Sequence, residues 1–570
     1  MQQNTKQLVI LFSTLFGIAC FQILLAFQGF DLCDEGFSLT FFQQIFNDPQ
    51  SVEYNFLYWL SGIVGGVWLK IFPNAGIFSF RILGILMHLL GLVLMIAIFR
   101  KRLPDWILAL SCVVLTLIFD YGVITFEHNR LVVVLSLAAF YFLIKGIEQN
   151  KWWALLFSGY LLAVNVFSRS PNLTLWAWII LIPLFSTDWK KSWKQIGIFC
   201  MGLVAGVLDV FLIMWMLGHV EIFANSVRQM FDIAGHAENA HSFKQLTGTF
   251  IQNYKSVGKY AVLLIGLGGA MFLLFRFFEK RRWINYAIVA VFFGCFWFWM
   301  SGKYYVYWIY ALCFLAQALL YWKTNDKNLR RLISGSIMMM IFLPVGSDWG
   351  IGNMGLYSIW LAVPLMLWWG FSHIETSPIF NQTKRWFFTM LCTVFCILQI
   401  IAIANQAYFD KGSRLDKHYS IQHPVAKYIY TTKFRADMMN HLIPALNRHI
   451  SSNDYVLAFE HIPMIHAITQ SKPYLYSPWS AYGSAMFIKQ LSRAEQTRPL
   501  PIVVKQHFES FPEWSAPQDD YYAENKPNTY KHHPARTATF NAFLKKYNYE
   551  MVWSNGFFSI WIAGETASDE

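Results

Sequence analysis

The feature that most constrains this chain is a series of apolar runs of about 20 residues, which recurs from residue 8 almost to residue 404. An α-helix needs about 20 apolar residues to cross the roughly 30 Å hydrocarbon layer of a bilayer. The composition agrees, because only 14% of the residues are charged, whereas soluble domains carry about a quarter. The chain is therefore predicted to be a mainly α-helical, polytopic membrane protein.

About 13 transmembrane spans are predicted from these runs. The first run lacks the basic start and the small-residue cleavage site of a signal peptide, so it is expected to be retained. The predicted spans are residues 8–27, 77–99, 104–119, 131–147, 152–168, 172–186, 196–217, 257–275, 283–301, 304–322, 332–346, 355–371 and 386–404.

Lysines and arginines cluster on every second connection between the spans, which is the pattern of cytoplasmic loops. The N-terminus is therefore predicted to be cytoplasmic, and the first large loop, residues 28–76, to be extracytoplasmic. This topology treats residues 56–72 as an interfacial or re-entrant segment, because a further span there would reverse the charge rule. The net charge of +12 is thereby attributed to membrane orientation, and no nucleic-acid partner is expected.

Two domains are predicted. Residues 1–404 form the transmembrane domain, and residues 405–570 form an extracytoplasmic α/β domain, because strand-like runs appear there around a helical stretch, ATFNAFLKKY. Those runs are DYVLAFE, PIVVKQHF, YEMVWS and FSIWIA.

The first outer loop contains an amphipathic pattern. Apolar side chains between Phe37 and Phe46 recur at helical spacing opposite Gln43, Gln44 and Asn47. A surface helix that ends before Pro49 is therefore predicted.

Metal, nucleotide and disulfide chemistry are not indicated. Seven of the eight cysteines fall inside apolar runs, Cys33 being the exception, and the histidine pairs do not match zinc-binding spacings. There is no GxxxxGK[ST], no GxSxG and no dinucleotide fingerprint in a suitable context. No metal site and no ATP-driven transport are therefore expected.

Three carboxylates, Asp31, Asp34 and Glu35, stand together in GFDLCDEGF directly after the first span. Mutual repulsion and nearby apolar surface raise carboxyl pKa values, which suits a group that accepts a proton in a reaction. Acidic residues are also favoured at helix N-termini, where they interact with free backbone N–H groups. The residues alone leave both readings open.

The second outer loop, DYGVITFEHNR, brings Glu127, His128 and Arg130 to the same predicted membrane face. They can approach the first loop as site residues, or they are ordinary interfacial polar groups. Two polar residues fall inside predicted spans. Asp209 is expected to be neutral, paired or facing a cavity, because a charge is costly in the membrane, and His88 to be neutral and hydrogen-bonded.

Isolated cations on the outer side are disfavoured by the charge rule but suit a lipid phosphate. Arg169 in FSRSPN and Lys303 in SGKYYVYW are therefore predicted to bind phosphate. Asp348 lies in a glycine-rich outer turn, GSDWGIGNMG, which is expected to close over a site.

The first outer loop and the segment after it resemble the opening of the GT-C class of integral-membrane glycosyltransferases. The resemblance rests on the acidic pair, the helix after it and the segment YWLSGIVGGVWLKIFPNAGIFSFRILGILMHLLG. The likeness is best over residues 30–186 and points to the protein O-mannosyltransferase and lipid A aminoarabinose transferase group. It implies a sugar donor on a polyprenyl phosphate, inversion of the anomeric centre and an acidic base in the first loop. By position that base is Asp34, with Glu35 beside it and Glu127 near the site.

One departure from that group concerns the donor phosphate. The group often carries Lys-Pro-Pro before its Tyr-Trp, whereas this chain has SVEYNFLYW. The phosphate is then expected to be held by Arg169, Lys303 or Arg130, or the donor differs. A lipid monophosphate donor implies no obligatory cofactor, and a divalent cation near Asp34 is left open.

The predicted function is an inverting glycosyltransferase that moves a sugar from a polyprenyl phosphate to a glycan, lipid or protein acceptor. The expected location is the extracytoplasmic face of a bacterial cytoplasmic membrane. The alternatives are a transporter or flippase for lipid-linked glycans, a non-catalytic glycan-binding member of the fold, and a ligase or polymerase that uses lipid pyrophosphates. Catalytic candidates are Asp34, Glu35 and Glu127, and binding candidates are Asp31, His128, Arg130, Arg169, Lys303 and Asp348.

Overall fold

The structure is a computed structural model in which long helices occupy the first 405 residues and a mixed sheet follows. It describes residues 2–74, 76–118, 122–186, 188–235, 242–278, 281–300, 305–372, 378–480, 483–508, 512–515 and 533–564. The α-helices are α1 Gln2–Ala26, α2 Asp34–Gln44, α3 Trp59–Ile71, α4 Ile77–Phe99, α5 Asp105–Leu117, α6 His128–Gln149, α7 Trp152–Val166, α8 Trp189–Met216, α9 Val220–Gly235, α10 Phe243–Phe277, α11 Arg282–Met300, α12 Tyr305–Lys323, α13 Lys327–Phe342, α14 Met354–Ser358, α15 Ala362–Phe371, α16 Pro378–Asn405, α17 Lys433–His449, α18 Met464–Thr469, α19 Ser484–Thr497 and α20 His533–Lys546. Helical segments of 3₁₀ type lie at Pro49–Tyr58, Ser170–Leu181, Gly350–Gly352, Arg414–Asp416 and Pro424–Ala426.

The helices confirm a multi-pass membrane protein. Among the described residues, 8 helices are long and apolar enough to cross a bilayer, namely α1, α4, α6, α8, α10, α11, α12 and α16. The other predicted spans fall on shorter helices, such as α5 and α7, so the count of about 13 crossings stays a prediction. Large apolar side chains on the bundle surface, for example Phe12, Leu208 and Phe298, are exposed, as a lipid-facing surface requires.

Close helix packing in the bundle depends on small residues. A Cβ atom added at Gly159 of α7 would lie 2.1 Å from the carbonyl oxygen of Phe199 in α8. A Cβ atom at Gly202 of α8 would lie 2.0 Å from the carbonyl oxygen of Leu156. Because lipid supplies no hydrophobic force between helices, this close backbone approach is what joins α7 to α8.

The first loop differs in one respect from the prediction. Residues 56–72 form the end of a 3₁₀ segment and the short helix α3, which fits an interfacial piece. Helix α2 is present, but the prediction that its polar face lies on the surface is wrong. Gln43 and Gln44 donate hydrogen bonds to the carbonyl oxygens of Ala467 and Ser471, 3.2 and 3.1 Å away, so the C-terminal region covers that face.

The C-terminal region contains a five-stranded mixed sheet, whose strands in spatial order are β6 Lys472–Pro473, β5 Tyr455–Phe459, β7 Ile502–Gln506, β9 Phe558–Ala563 and β8 Tyr549–Ser554. Strands β6, β5 and β7 are parallel, and β9 and β8 extend the sheet in antiparallel pairing. The four strand-like runs of the sequence correspond to β5, β7, β8 and β9. The strands are β1 Gln406–Ala407, β2 Asp410–Lys411, β3 Tyr419–Ser420, β4 Tyr430–Thr431, β5 Tyr455–Phe459, β6 Lys472–Pro473, β7 Ile502–Gln506, β8 Tyr549–Ser554 and β9 Phe558–Ala563.

The C-terminal region contacts the first loop at the start of α2. The Met464 backbone N–H donates to the Leu32 carbonyl at 2.9 Å. A Cβ atom at Gly36 would lie 2.1 Å from the Met464 nitrogen, so only glycine permits this approach. Phe30 and Phe42 of the loop share one buried apolar cluster with Met464 and Val504. The acidic stretch is therefore held between the helix bundle and the sheet.

Candidate active site

Asp31 organises the start of α2. Its carboxylate accepts hydrogen bonds from the backbone N–H groups of Cys33 and Glu35, both at 2.8 Å. Burial raises the pKa of Asp31 well above its ordinary value, and the charges of Asp34 and Glu35 raise it further. Because this side chain is only 1% exposed, the structure gives it the helix-terminus role, and the substrate-binding prediction for Asp31 gains no support.

Glu35 forms a buried, two-pronged ion pair with Arg81 of α4. Nε and Nη2 of Arg81 each lie 2.8 Å from one carboxylate oxygen, and the Thr125 hydroxyl donates to Oε1. Arg81 also donates to the carbonyl oxygens of Ala26 and Gly29. A carboxylate held in this way has few lone pairs left for an acceptor. Glu35 thus joins the first loop to α4, which is a positioning role.

Asp34 is the member of the acidic group that stays partly accessible. The Tyr408 hydroxyl donates to its Oδ2, and the Cys33 thiol donates to its Oδ1 at 3.5 Å. Burial raises the pKa of Asp34, these two hydrogen bonds oppose the rise, and the charges of Asp348 and Glu35 add to it. A carboxylate with a raised pKa is a stronger proton acceptor at neutral pH.

The second loop places two candidates beside the first. Glu127 accepts hydrogen bonds at Oε1 from the Tyr357 hydroxyl at 3.1 Å and from the Asn129 side-chain amide at 3.2 Å. The His128 ring stacks on Tyr58, with 4.1 Å between the ring centroids and 26° between the planes. His128 therefore contacts the residue directly before α3, and Glu127 contacts α14.

Tyr58 marks the point where the candidate groups converge. Burial raises the pKa of its phenol, and the Arg169 guanidinium opposes this rise. The carboxylates of Asp348, Glu127 and Asp34 all raise it further. Arg169 lines the same cleft as Tyr58, and the charges of Asp348, Glu127 and Asp34 act on this phenol from a distance.

Arg169 lies on the wall of a cleft of about 510 Å³. Its Nη1 and Nη2 atoms donate to the carbonyl oxygens of Leu343 and Val345 at 3.0 and 2.9 Å, and burial lowers its pKa to about 10, so it stays charged at neutral pH. Among the described residues that line the cleft, Arg169 is the only charged one. The apolar lining includes Leu57, Met230, Phe231, Phe243, Leu246 and Phe250.

Three binding candidates stand differently. Arg130 points toward α4, where it bonds Nδ1 of His88 at 2.8 Å and the Val123 carbonyl at 2.8 Å. Asp348 accepts from the Trp349 backbone N–H at 2.9 Å and stays within electrostatic reach of Asp34. Lys303 lies outside the described residues.

Other polar groups of the bundle fit their predicted surroundings. The Tyr160 hydroxyl donates to Asp209 at 2.5 Å, so this intramembrane acid is hydrogen-bonded as expected. In the described part of the chain, no three His, Cys, Asp or Glu side chains are grouped so that they could hold a metal ion.

Sequence reasoning missed Arg81 and Tyr408. Arg81 lies inside a predicted span, where a charged residue needs a partner, so its position was a usable signal. Tyr408 follows the last span, and no pattern in the sequence connects it with Asp34.

Comparison with known proteins supports the resemblance drawn from the sequence. Residues 59–215 match the family model described as dolichyl-phosphate-mannose-protein mannosyltransferase. The crystal structure of ArnT from Cupriavidus metallidurans bound to undecaprenyl phosphate is similar to this chain, with a TM-score of 0.52 and 10% sequence identity. The similarity covers 98% of each chain. No curated protein sequence matches. The matched segment confirms the predicted resemblance, and the similarity to ArnT over the whole chain shows the same fold.

Proposed function

We propose that this protein transfers a sugar from a polyprenyl phosphate to an acceptor hydroxyl, with Asp34 as the general base. One observation carries the proposal. Arg169 and Tyr58 line one large apolar cleft, and the charge of the partly accessible Asp34 carboxylate reaches Tyr58. A base, a phosphate-binding cation and a lipid-sized cleft are the three parts that such a transfer requires.

The cleft suits the donor. Its apolar lining would take the first isoprene units, and Arg169 would take the phosphate. A guanidinium carries five N–H groups, and the carbonyl oxygens of Leu343 and Val345 occupy two of them. The undecaprenyl phosphate named for the ArnT structure is a ligand of this chemical class. In this proposal Arg169 replaces the lysine that the sequence lacks before Tyr58.

The chemistry follows from these positions. Asp34 accepts the proton of the acceptor hydroxyl while that oxygen forms a bond to the anomeric carbon. The bond between the anomeric carbon and the phosphate oxygen breaks on the opposite face, which inverts the centre. The lipid phosphate leaves as an anion beside Arg169, so no nucleotide is needed to drive the step. Glu127 would accept hydrogen bonds from the sugar hydroxyls.

The proposed orientation places this reaction on the extracytoplasmic face of a bacterial cytoplasmic membrane, with the N-terminus in the cytoplasm. The basic clusters on alternate connections support it. The proposed acceptor is a glycan, lipid or protein hydroxyl, and no cofactor is obligatory, because the sugar of the donor is already bonded to a phosphate that can leave.

The test is turnover by the purified full-length protein with a polyprenyl-phosphate sugar. The Asp34→Asn variant should lose transfer by about 10²- to 10⁴-fold while it keeps its melting temperature, since it lacks only the base. Asp48→Asn is the matched control, because Asp48 lies just after the same helix and contacts Lys472 at 3.7 Å. Undiminished transfer by Asp34→Asn would overturn the assignment.

A further inference from the structure

A second cavity, of about 60 Å³, lies among α1, α4, α5, α6 and α14. It adjoins the acidic site through Tyr357, which lines the cavity and donates its hydroxyl to Glu127. This volume holds about four water molecules, or one tetrahedral anion, but not an isoprenoid chain. Two arginines, Arg130 and Arg414, line it.

The hydrogen bonds of His88 show that this cavity wall is cationic. An arginine can only donate, so Nδ1 of His88 must accept from Arg130 at 2.8 Å and carries no proton. Nε2–H then donates to the Thr116 hydroxyl at 3.0 Å, which itself donates to the Cys112 carbonyl. His88 is therefore neutral and does not repel or balance the charge of Arg130.

Each guanidinium keeps donors available. Arg130 uses Nη1 and Nη2, and its buried Nε has no hydrogen-bond partner among the described residues. Arg414 uses Nε and Nη1, which donate to the carbonyl oxygens of Ile403 and Leu25 at 2.6 and 3.2 Å. Gln22, which also lines the cavity, is 6% exposed, and its amide oxygen, an acceptor, has no donor within the described part. The O–H of a hydrogen phosphate would supply that donor. Buried polar atoms without partners are uncommon and call for a ligand or water.

Among the described residues, no carboxylate forms an ion pair with Arg130 or Arg414. Asp410 lies within electrostatic reach of Arg414, but Lys417 and Arg435 already approach Asp410 at 3.5 and 3.3 Å. Glu127 lies beyond the Tyr357 hydroxyl. No acidic side chain is among the described residues that line the cavity, and Asp120 lies outside the described residues.

We propose that this cavity is a second anion site, which binds a phosphate group between Arg130 and Arg414 in addition to any phosphate at Arg169. The two guanidinium groups donate to phosphate oxygens, and the Gln22 amide oxygen accepts from a phosphate O–H. The phosphate is either free phosphate or the headgroup of a lipid whose chains remain in the bilayer beside α1. This changes the assignment of Arg130, which the sequence linked to the donor phosphate.

The experiment is equilibrium binding of inorganic phosphate to the purified full-length protein, with no turnover required. Arg414→Gln and Arg130→Gln should each weaken this binding by at least about tenfold, since each removes a charge-assisted contact. Arg331→Gln is the matched control, because Arg331 is also largely buried and donates to a backbone carbonyl, that of Leu184 at 2.9 Å. It should leave phosphate binding unchanged.

Two further variants keep the proposal falsifiable. Gln22→Leu leaves both arginines in place and should weaken phosphate binding about three- to tenfold, even if an arginine variant fails to fold. Arg169→Gln should leave this site occupied, so failure of the donor assignment and failure of this site are distinguishable. The proposal is overturned if phosphate binding is absent in the unmodified protein, if Arg169→Gln abolishes all of it, or if the cavity variants bind as the unmodified protein does.

Competition separates the two sources of phosphate. A short-chain polyprenyl phosphate in nanodiscs that displaces inorganic phosphate from the Arg169→Gln protein would identify a lipid headgroup as the ligand. Retention of inorganic phosphate under excess lipid would identify free phosphate. Either result supports the anion site.

Discussion

Asp34 and Glu35 are neighbours with the same functional group, yet the structure treats them in opposite ways. Glu35 faces α4, where Arg81 holds both of its oxygens and Thr125 adds a third donor. Asp34 faces the C-terminal region, where a neutral hydroxyl and a thiol are its partners. A carboxylate that is paired with a full positive charge holds structure. A partly buried carboxylate whose partners are neutral donors remains able to accept a proton.

The same contrast applies to the cations. Arg81 donates its hydrogen bonds to Glu35 and to backbone carbonyl oxygens at the start of the first loop. Arg169 donates two hydrogen bonds to backbone carbonyl oxygens and lies on the wall of the cleft. No carboxylate in the described part of the chain is bonded to it. The role of a charged residue is therefore determined by the group it bonds to, and not by its place within one turn of helix or at one end of the bundle.

The largest effect is expected from Glu35→Gln, which would leave the Arg81 charge buried without its counter-ion. Removal of one member of a buried pair costs about 3–5 kcal/mol of folding free energy. Asp34→Asn should change that free energy by less than about 1 kcal/mol, because it loses only hydrogen bonds to neutral groups. Unfolding in denaturant measures both, and equal losses would contradict the contrast between the two acids.

Arg169→Gln should come next, with a loss of transfer of about 10²- to 10³-fold, the effect of removing one donor to a developing anion. Arg169→Lys keeps the charge but not the forked geometry, so it should lose less. Transfer rate and donor affinity should be measured together. A glutamine variant with ordinary donor affinity and turnover would remove Arg169 from the site.

Much of the fold was predictable because hydrophobicity acts locally. Each predicted span overlaps a helical segment, since a run of apolar residues determines its own environment in a bilayer. The strand pattern of the C-terminal region also led to β5, β7, β8 and β9. The surface position of α2 was predicted wrongly, because its glutamines bond to a region more than 420 residues away along the chain.

The different roles of the acidic residues were not predictable, because their partners also lie far away along the chain. Arg81 is 46 residues from Glu35, and Tyr408 is 374 residues from Asp34. Single-sequence patterns carry no information about such pairs. The resemblance ranked Asp34 first, but it could not say that Glu35 holds the loop. Arg130 and Arg169 likewise looked equivalent until their partners were known.

A smaller effect, about tenfold, is expected from Tyr408→Phe, which removes one hydrogen bond to the Asp34 carboxylate. That bond favours the ionised form, so its loss should raise the pKa of Asp34 further above its ordinary value, under the same influence of Asp31, Glu35 and Asp348. The acid limb of the pH profile of kcat/KM should then move to higher pH. The deficit should be largest at low pH and shrink as pH rises.

Tyr549→Phe is the control for this variant, because its buried hydroxyl donates to the Pro501 carbonyl at 2.7 Å, on the other side of the C-terminal region. It should lower stability slightly without moving the pH profile. A Tyr408→Phe enzyme with an unshifted acid limb would show that this tyrosine does not tune the base.

The smallest effect should come from Lys489→Met, which breaks an ion pair without burial. Lys489 of α19 lies 2.5 Å from Asp232 of α9, but the two side chains are 59% and 47% exposed. Water and salt screen such a pair, so its loss should change the unfolding free energy by at most about 1 kcal/mol. Compared with Glu35→Gln, this variant tests whether burial, rather than pairing itself, determines the loss of unfolding free energy. Comparable losses of unfolding free energy from the two variants would mean that this ion pair joins α19 firmly to α9 beside the cleft. The contrast between the buried, paired Glu35 and the partly accessible Asp34 would then no longer explain the site.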